Sequence, residues 1–374
     1  MTTFARSDTS LLSQWWWRVD RWMLVALFII AAVGAVLTMA ASPAVAERIG
    51  LDTFYFSRRQ FIYLPFAMAI MVLTSLLTQR GLRRAAIICF AVSLLLLVVT
   101  PFIGHEIKGA TRWIQIAGMS LQPSEFVKPS FAVVAAWMFS ERRLDEDFPG
   151  YAVATALYIL VICLLLAQPD VGMAIVVSAV WAVQFFIVGL PMAFVMLIAM
   201  TFICGGVGAY FTFHHVQARV DRFLDPQASE GFQVAQAAEA FRNGGLFGRG
   251  PGEGEVKEIL PDAHADFIFA VAGEEFGVIF CLLIVGLFAF VLIRGFSRVF
   301  NDDNLFALLA VAGLLVQFSL QSIINISSTI NLMPPKGMTL PFISYGGSST
   351  VALAFGMGMV LALTRERRGY EVSR

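Results

Sequence analysis

Ten stretches of mostly apolar sequence run through this 374-residue chain, each near the roughly 20 residues a helix needs to cross the hydrocarbon core of a bilayer. They cover residues 22–42, 60–78, 85–103, 125–140, 151–168, 171–189, 192–213, 267–293, 304–325 and 346–363. A chain that is 58% hydrophobic and 14% charged has too little polar surface for a soluble domain of this size. The expected fold class is therefore all-α, a polytopic membrane protein with ten transmembrane helices in one domain over residues 1–374. The first stretch is preceded by basic residues and followed by Ala44-Val-Ala46, as a cleaved leader would be, but its apolar core is longer than a leader's. It reads as a retained helix. The four cysteines, Cys89, Cys163, Cys204 and Cys281, lie in apolar runs without a CxxC pair, so neither a disulfide framework nor a thiolate metal site is indicated.

Net charge is zero, but the charges are sorted by position. If the N-terminus is cytoplasmic, the inner segments hold Arg6, Arg18, Arg21, Arg80, Arg83, Arg84, Arg142, Arg143, Arg294, Arg298, Arg365, Arg367, Arg368 and Arg374, fourteen of the 26 basic residues. Most of the others fall in two longer outer loops, where the positive-inside rule loses force. Both termini are thus expected in the cytoplasm, with tails 1–21 and 364–374 and a large periplasmic loop, 214–266, between spans seven and eight. Trp15, Trp16, Trp17 and Trp22 then sit at the inner interface, where amphipathic rings are favoured.

Two interruptions break the pattern. Residues 151–189 would make a helix of about 58 Å, too long for one span, and Gln168-Pro169-Asp170 divides it because proline stops the helical ladder. Gln168 and Asp170 are left near the outer surface. The second is Met333-Pro-Pro-Lys-Gly-Met-Thr-Leu-Pro341. Irregular backbone at membrane depth must be buried in protein or line a wet cavity.

Polar groups inside apolar spans mark candidate sites. Gln317, Gln321 and Asn325 recur at four-residue spacing and share one helix face, which fits interhelical hydrogen bonding or a lined cavity. Glu274 and Glu275 lie about 12–14 Å along the helix beyond Asp266 and need partners there. Glu125 and Lys128, at i and i+3, form either a terminal ion pair or a pair turned toward a cavity. Lys336, in the Pro-Pro segment, suggests a nearby anion or a solvated charge.

The run Lys257–Phe267 carries Glu258, Asp262, His264 and Asp266 in nine residues at the lip of the eighth span. An aspartate there acts as a base on a membrane-held substrate or serves as a helix cap. Asp262-x-His264-x-Asp266 has a spacing that holds a divalent cation only weakly. Upstream, residues Phe232–Phe241 suggest a short helix on the membrane surface. The run Gly244–Gly254 lacks the Gly-Lys-Ser/Thr of a nucleotide loop and follows no strand; a flexible hinge is expected, with an amide nest for phosphate as the other choice. Lys108, Arg112 and Trp113 add cationic and aromatic groups on the same side.

Lys336-Gly-Met-Thr-Leu-Pro-Phe-Ile-Ser-Tyr-Gly-Gly-Ser-Ser349 closely resembles the signature of the FtsW/RodA (SEDS) family. Thr111-Arg-Trp-Ile114, Gln122–Lys128, Gln168–Gly172, Gly244–Gly248 and Leu260–Phe267 agree as well, so the resemblance runs from the first outer loop to the last span. The end of span one and Phe54–Gln60 look more like the division-specific FtsW branch than RodA. The resemblance implies a ten-span peptidoglycan glycosyltransferase of the bacterial inner membrane that polymerises lipid II at the periplasmic face of the division septum. The position matching Asp266 is catalytic in that family, and those matching Arg112, Lys128, Glu258 and Lys336 are functionally sensitive. Gln168, Asp170, His264, Ser344 and Tyr345 lie in the same segments and complete the expected substrate-binding set. Asp262 stands where glutamate is common and Ala265 where threonine is common, and neither removes a group assigned to chemistry.

On that reading Asp266 takes the proton of the acceptor hydroxyl while Arg112, Lys128 and Lys336 stabilise the pyrophosphate leaving group. The cofactor stays open between none and a divalent cation, Mg or Mn, which would help stabilise the pyrophosphate. Lipid II, the nascent glycan strand, the membrane, a class B penicillin-binding protein (the septal transpeptidase) and other division proteins are the implied partners, and no nucleic acid. A lipid II flippase, a RodA-type elongation enzyme and a non-catalytic scaffold are the competing functions.

Overall fold

The computed structural model describes residues 10–107, 110–116, 119–189, 192–212, 217–218, 221, 229–300, 303–334 and 336–365; Lys108, which the sequence singles out, lies outside them. Each apolar stretch coincides with one helix to within a few residues. They are α2 (Arg21–Arg48), α3 (Tyr55–Ser75), α4 (Gln79–Ile103), α5 (Pro123–Leu144), α6 (Gly150–Ala167), α7 (Val171–Val188), α8 (Met192–Thr212), α11 (Ile268–Val299), α12 (Leu305–Thr329) and α13 (Gly347–Leu363). Short helices α1 (Leu11–Arg18), α9 (Ser229–Gly244) and α10 (Val256–Ile259) accompany them. Six of the helices (α2, α4, α6, α7, α11 and α12) are long and apolar enough to cross a membrane. Large apolar side chains such as Phe102, Leu73, Phe211 and Ile293 stand on the outside, as a lipid-facing surface requires.

Helix starts follow the sequence. Asp20, Thr78, Asp170 and Asn304 accept from the backbone N–H groups of Met23, Gly81, Met173 and Ala307 at 3.1, 3.2, 3.3 and 3.0 Å, satisfying donors that a first turn leaves orphaned. Arg294 and Arg298 both reach the Asp20 carboxylate as well (2.8 and 2.7 Å). Arg365 donates to the carbonyl of Leu77 at 2.6 Å. The core lies on α5 and α12, whose faces are almost wholly buried; α12 packs against α5, α7, α11 and α13.

The segment between α4 and α5 corrects the all-α expectation. Residues His105–Ile107 (β1), Ala110–Ile116 (β2) and Met119–Leu121 (β3) form a small antiparallel sheet in the order β1-β2-β3, with Ile114 opposite Leu121. Only Ile114-Gln-Ile116 alternates at the strand period of two, a signal too short to stand out beside spans of 20 residues.

The glycine-rich run is not a hinge. α11 is broken at Gly277 (φ 83°), and the run docks into the break. Arg249 and Gly250 N–H groups donate to the carbonyls of Glu274 and Glu275 at 2.9 and 3.0 Å, and Val278 and Ile279 donate to Gly245 and Leu246 at 3.0 and 3.3 Å. A Cβ on Gly248 would lie 2.2 Å from the Glu275 carbonyl oxygen, so close backbone approach explains the glycine. The side chain of Glu274 accepts from Glu255 and Val256 N–H. Glu275 accepts from Gly252 N–H at 3.0 Å and from Lys257 Nζ at 2.6 Å. α9 is longer than the expected 232–241 helix and packs on α11 through Val234, Ala237 and Ala240.

Candidate active site

α12 ends at Thr329, and the described residues between it and Gly347, the start of α13, are irregular. This segment folds back over the start of α11, and its backbone is satisfied in part by side chains of the polar stripe. The Asn325 amide donates to the carbonyls of Met338 (2.7 Å) and Asp266 (3.0 Å). One turn earlier, Gln321 donates to the carbonyl and hydroxyl of Thr339 (3.1 Å each) and to Ser349 Oγ (3.2 Å). Sequence reasoning found this stripe but did not count it as part of the site.

Asp266 and Lys336 meet here. Both line a small open crevice, with Phe267, Ile324, Asn325, Ser328, Gly337 and Met338, and both are half-buried. Gly337 has φ 65°, and a Cβ on it would stand 3.8 Å from Asp266 Oδ2. The cap position of α11 is Phe267, with no side-chain cap, so Asp266 is not the N-cap of that helix. A carboxylate and an ammonium on one wet wall can take a proton and hold an anion.

The other expected residues divide into three groups. Ser344 and Tyr345 act as glue: Ser344 Oγ donates to the Ala265 carbonyl (2.6 Å) and accepts from Leu340 N–H (2.7 Å), and Tyr345 N–H donates to the His264 carbonyl (3.0 Å). His264 is buried, its ring stacked on Phe56 with centroids 4.0 Å apart. Burial pushes its pKa down to about 4, with Arg48 acting in the same direction and Asp262 opposing.

Lys128 is inside the protein. Only 1% of its side chain is exposed, and Nζ lies 2.9 Å from Glu125 Oε2 and 3.0 Å from Gln321 Oε1. Arg112 lies along the turn between α6 and α7, donating to the carbonyls of Gln168 and Pro169, 3.9 Å from Asp170 Oδ1. Gln168 in turn donates to the Leu97 carbonyl at 2.7 Å. Burial pushes the Asp170 carboxyl up, and Arg112 works against the shift. This turn adjoins the crevice, because a Cβ on Gly172 would lie 2.9 Å from Met338 Cε and 4.0 Å from Lys336 Cβ. Neither Arg112 nor Lys128 is among the residues that line the crevice.

Glu258 is placed elsewhere, contrary to expectation. Its side chain is exposed and is not among the crevice-lining residues, while its carbonyl accepts from Arg48 at 3.3 Å. α10 ends one residue later, and that turn directs the carboxylate to the surface. Among the described residues no three His, Cys, Asp or Glu side chains converge to hold a metal ion. Asp262, His264 and Asp266 do not form such a set, because the His264 ring is packed between aromatic side chains.

A family profile described as "Cell cycle protein", FtsW/RodA/SpoVE, matches residues 20–369. A Caulobacter vibrioides protein named probable peptidoglycan glycosyltransferase FtsW is 46% identical over 367 residues, covering 98% of this chain and 94% of that one. Its namesake from Trichlorobacter lovleyi is 33% identical, covering 93% and 94%. Two solved structures are similar in fold at 27% identity. One is a chain from a study of how a peptidoglycan synthase complex coordinates polymerization and crosslinking (TM-score 0.75, covering 92% of this chain and 97% of that one). The other is the rod shape determining protein RodA of Thermus thermophilus (TM-score 0.67, covering 93% and 97%). With a profile spanning nearly its whole length and relatives at this identity, the chain belongs to the FtsW/RodA/SpoVE family of multi-pass helical membrane proteins.

Proposed function

We propose that this protein is a peptidoglycan glycosyltransferase that polymerises lipid II for the septal wall. The observation that carries the reading is the placement of Asp266 and Lys336 on one crevice, in a family whose relatives are named for that activity. The acceptor's 4-hydroxyl oxygen attacks the donor's anomeric carbon, and its proton passes to the Asp266 carboxylate. The bond from that carbon to the polyprenyl pyrophosphate breaks, and the pyrophosphate leaves with the electron pair beside the Lys336 ammonium. A positioned base typically contributes about 10²–10⁴-fold. Arg112 and Lys128, expected to touch the pyrophosphate, act here by holding the α6–α7 turn and Gln321.

On this reading the ten long helices are ten spans with both termini cytoplasmic, the crevice opens to the periplasm at the septum, and a class B penicillin-binding protein works alongside. The division branch is favoured over RodA-type elongation because the relatives at 46% and 33% identity are named FtsW. The test is lipid II polymerisation by purified protein reconstituted with its transpeptidase. Asp266→Asn should lose about 10²–10⁴-fold of the rate with unchanged thermal stability. Polymer at the wild-type rate would remove the base assignment, and lipid movement across the bilayer without polymer would make the protein a flippase.

A further inference from the structure

We propose that His264 is a positioning residue for Asp266, a flat ring clamped between α3 and Tyr345 that sets where the carboxylate stands and does not itself contact substrate. The inference rests on the glycosyltransferase reading above and deepens it.

Three successive carbonyls lead up to the carboxylate, and each is held by a different donor. His264 O takes the Tyr345 N–H at 3.0 Å, Ala265 O takes Ser344 Oγ at 2.6 Å, and Asp266 O takes the Asn325 amide at 3.0 Å. These bonds fix the loop to the irregular segment and to α12. Its attachment to α3 is the His264 ring. That ring lies 4.0 Å from Phe56, interplanar angle 30°, and 5.5 Å from Tyr345, while Phe56 and Tyr345 meet edge to face at 5.1 Å and 72°. The contact closes a triangle of three rings, an arrangement in which aromatic pairs gain more than their buried area alone provides.

The imidazole makes poor use of its polarity. His264 is 7% exposed, and its Nδ1 has no hydrogen-bond partner among the described residues. A buried ring nitrogen serving proton transfer or substrate binding is normally held by a partner that fixes its tautomer. His264 is also absent from the crevice wall that Asp266 and Lys336 share. Both chain segments of the contact pass through left-handed residues that are not glycine, Asp262 (φ 54°) and Phe342 (φ 61°). Such conformations persist only where surrounding packing over-determines them.

The experiment compares His264→Phe, His264→Ala, Phe56→Ala and the His264→Ala/Phe56→Ala pair in reconstituted lipid II polymerisation, measuring kcat and KM separately. His264→Phe should keep kcat within about threefold of wild type and leave its pH profile in place, because a phenyl ring restores the stack. His264→Ala should lower kcat about tenfold or more with KM within about twofold, the pattern of a displaced base with intact binding. The pair should be no worse than the poorer single variant, as expected of groups acting as one unit. If His264→Phe is as impaired as His264→Ala, or if KM rises while kcat holds, the positioning role is overturned. Should His264→Ala fail to fold, His264→Phe decides alone. A wild-type protein that makes no polymer sinks the glycosyltransferase reading, whereas active wild type with inactive His264→Phe sinks only this inference.

Discussion

The break in α11 at Gly277 and the irregular segment between α12 and α13 both leave backbone N–H and C=O groups without helical partners, yet they are completed differently. At Gly277 the missing partners are main chain on every side, supplied by Gly245, Leu246, Arg249 and Gly250. The two adjacent carboxylates are consumed by N–H groups and by Lys257. Between Met333 and Gly346 side chains take a share of the pairing: Asn325 and Gln321 of α12 donate to the carbonyls of Met338 and Thr339 and Ser344 Oγ accepts from Leu340 N–H, while the N–H groups of Ile343, Ser344 and Tyr345 donate to main-chain carbonyls. Asp266 and Lys336 line the crevice beside it. Irregular backbone in a bilayer protein must be paired or line a cavity; here one break takes the first solution and the other takes the second. The Glu274 and Glu275 carboxylates are thus consumed within the closed break, whereas Asp266 stands on the wall of the crevice.

The closed break should be the more fragile to substitution. Lys257→Ala leaves Glu275, whose side chain is 0% exposed, as an unpaired buried charge, and should cost about 3–5 kcal/mol of stability. Replacing both partners by apolar residues should recover most of it. Thermal unfolding in detergent reads both, and a loss below about 1 kcal/mol for the single variant would show that the ion pair does not hold this break.

The open break should instead be sensitive to acid. An unfolded histidine takes a proton below 6.5, whereas His264 in the fold resists it until about 4. Between those values the unfolded state binds more protons, so stability falls as pH falls, by up to about 3 kcal/mol in all. This contribution is complete above 6.5 and lost below about 4. His264→Phe should flatten the pH dependence of Tm across that window, and an unchanged slope would locate the acid sensitivity elsewhere.

Much of this was legible in the sequence, for definite reasons. Span-length apolar runs fix helix positions because a bilayer admits few alternatives, and Gln168-Pro169-Asp170 divides α6 from α7 where proline predicts. Asp266 and Lys336 were visible as charges at the edges of apolar sequence. Their meeting across 70 residues was not, since neither residue type nor spacing encodes which outer loops fold against each other. The same gap hid the role of Gly244–Gly254: a glycine that permits flexibility and one that permits close backbone approach look alike until Glu275 is seen beside Gly248. Lys128 and Glu258 are placed in opposite directions, one inside the bundle and one at the surface. Lys128 fits helix-start ion pairing equally well whether it faces inward or outward, and Glu258 owes its exposure to the end of the four-residue α10.

The smallest stability effect, and the clearest test of the contrast, belongs to Lys336. It is half-exposed on the open side of its segment, where charged contacts contribute little to folding, so Lys336→Ala should change stability by less than about 1 kcal/mol. If its ammonium faces charge that develops on the leaving group, the same substitution should lower kcat by on the order of 10²-fold, the usual loss for one preorganised electrostatic donor. Lys257→Ala should do the reverse, unfolding the protein more easily while molecules that remain folded keep their turnover. Measuring Tm and kcat on both lysine variants places them at opposite corners of one plot. Should both fall together along a single line of lost stability, the two breaks would not differ in kind, and the crevice would be one more packed joint in the bundle.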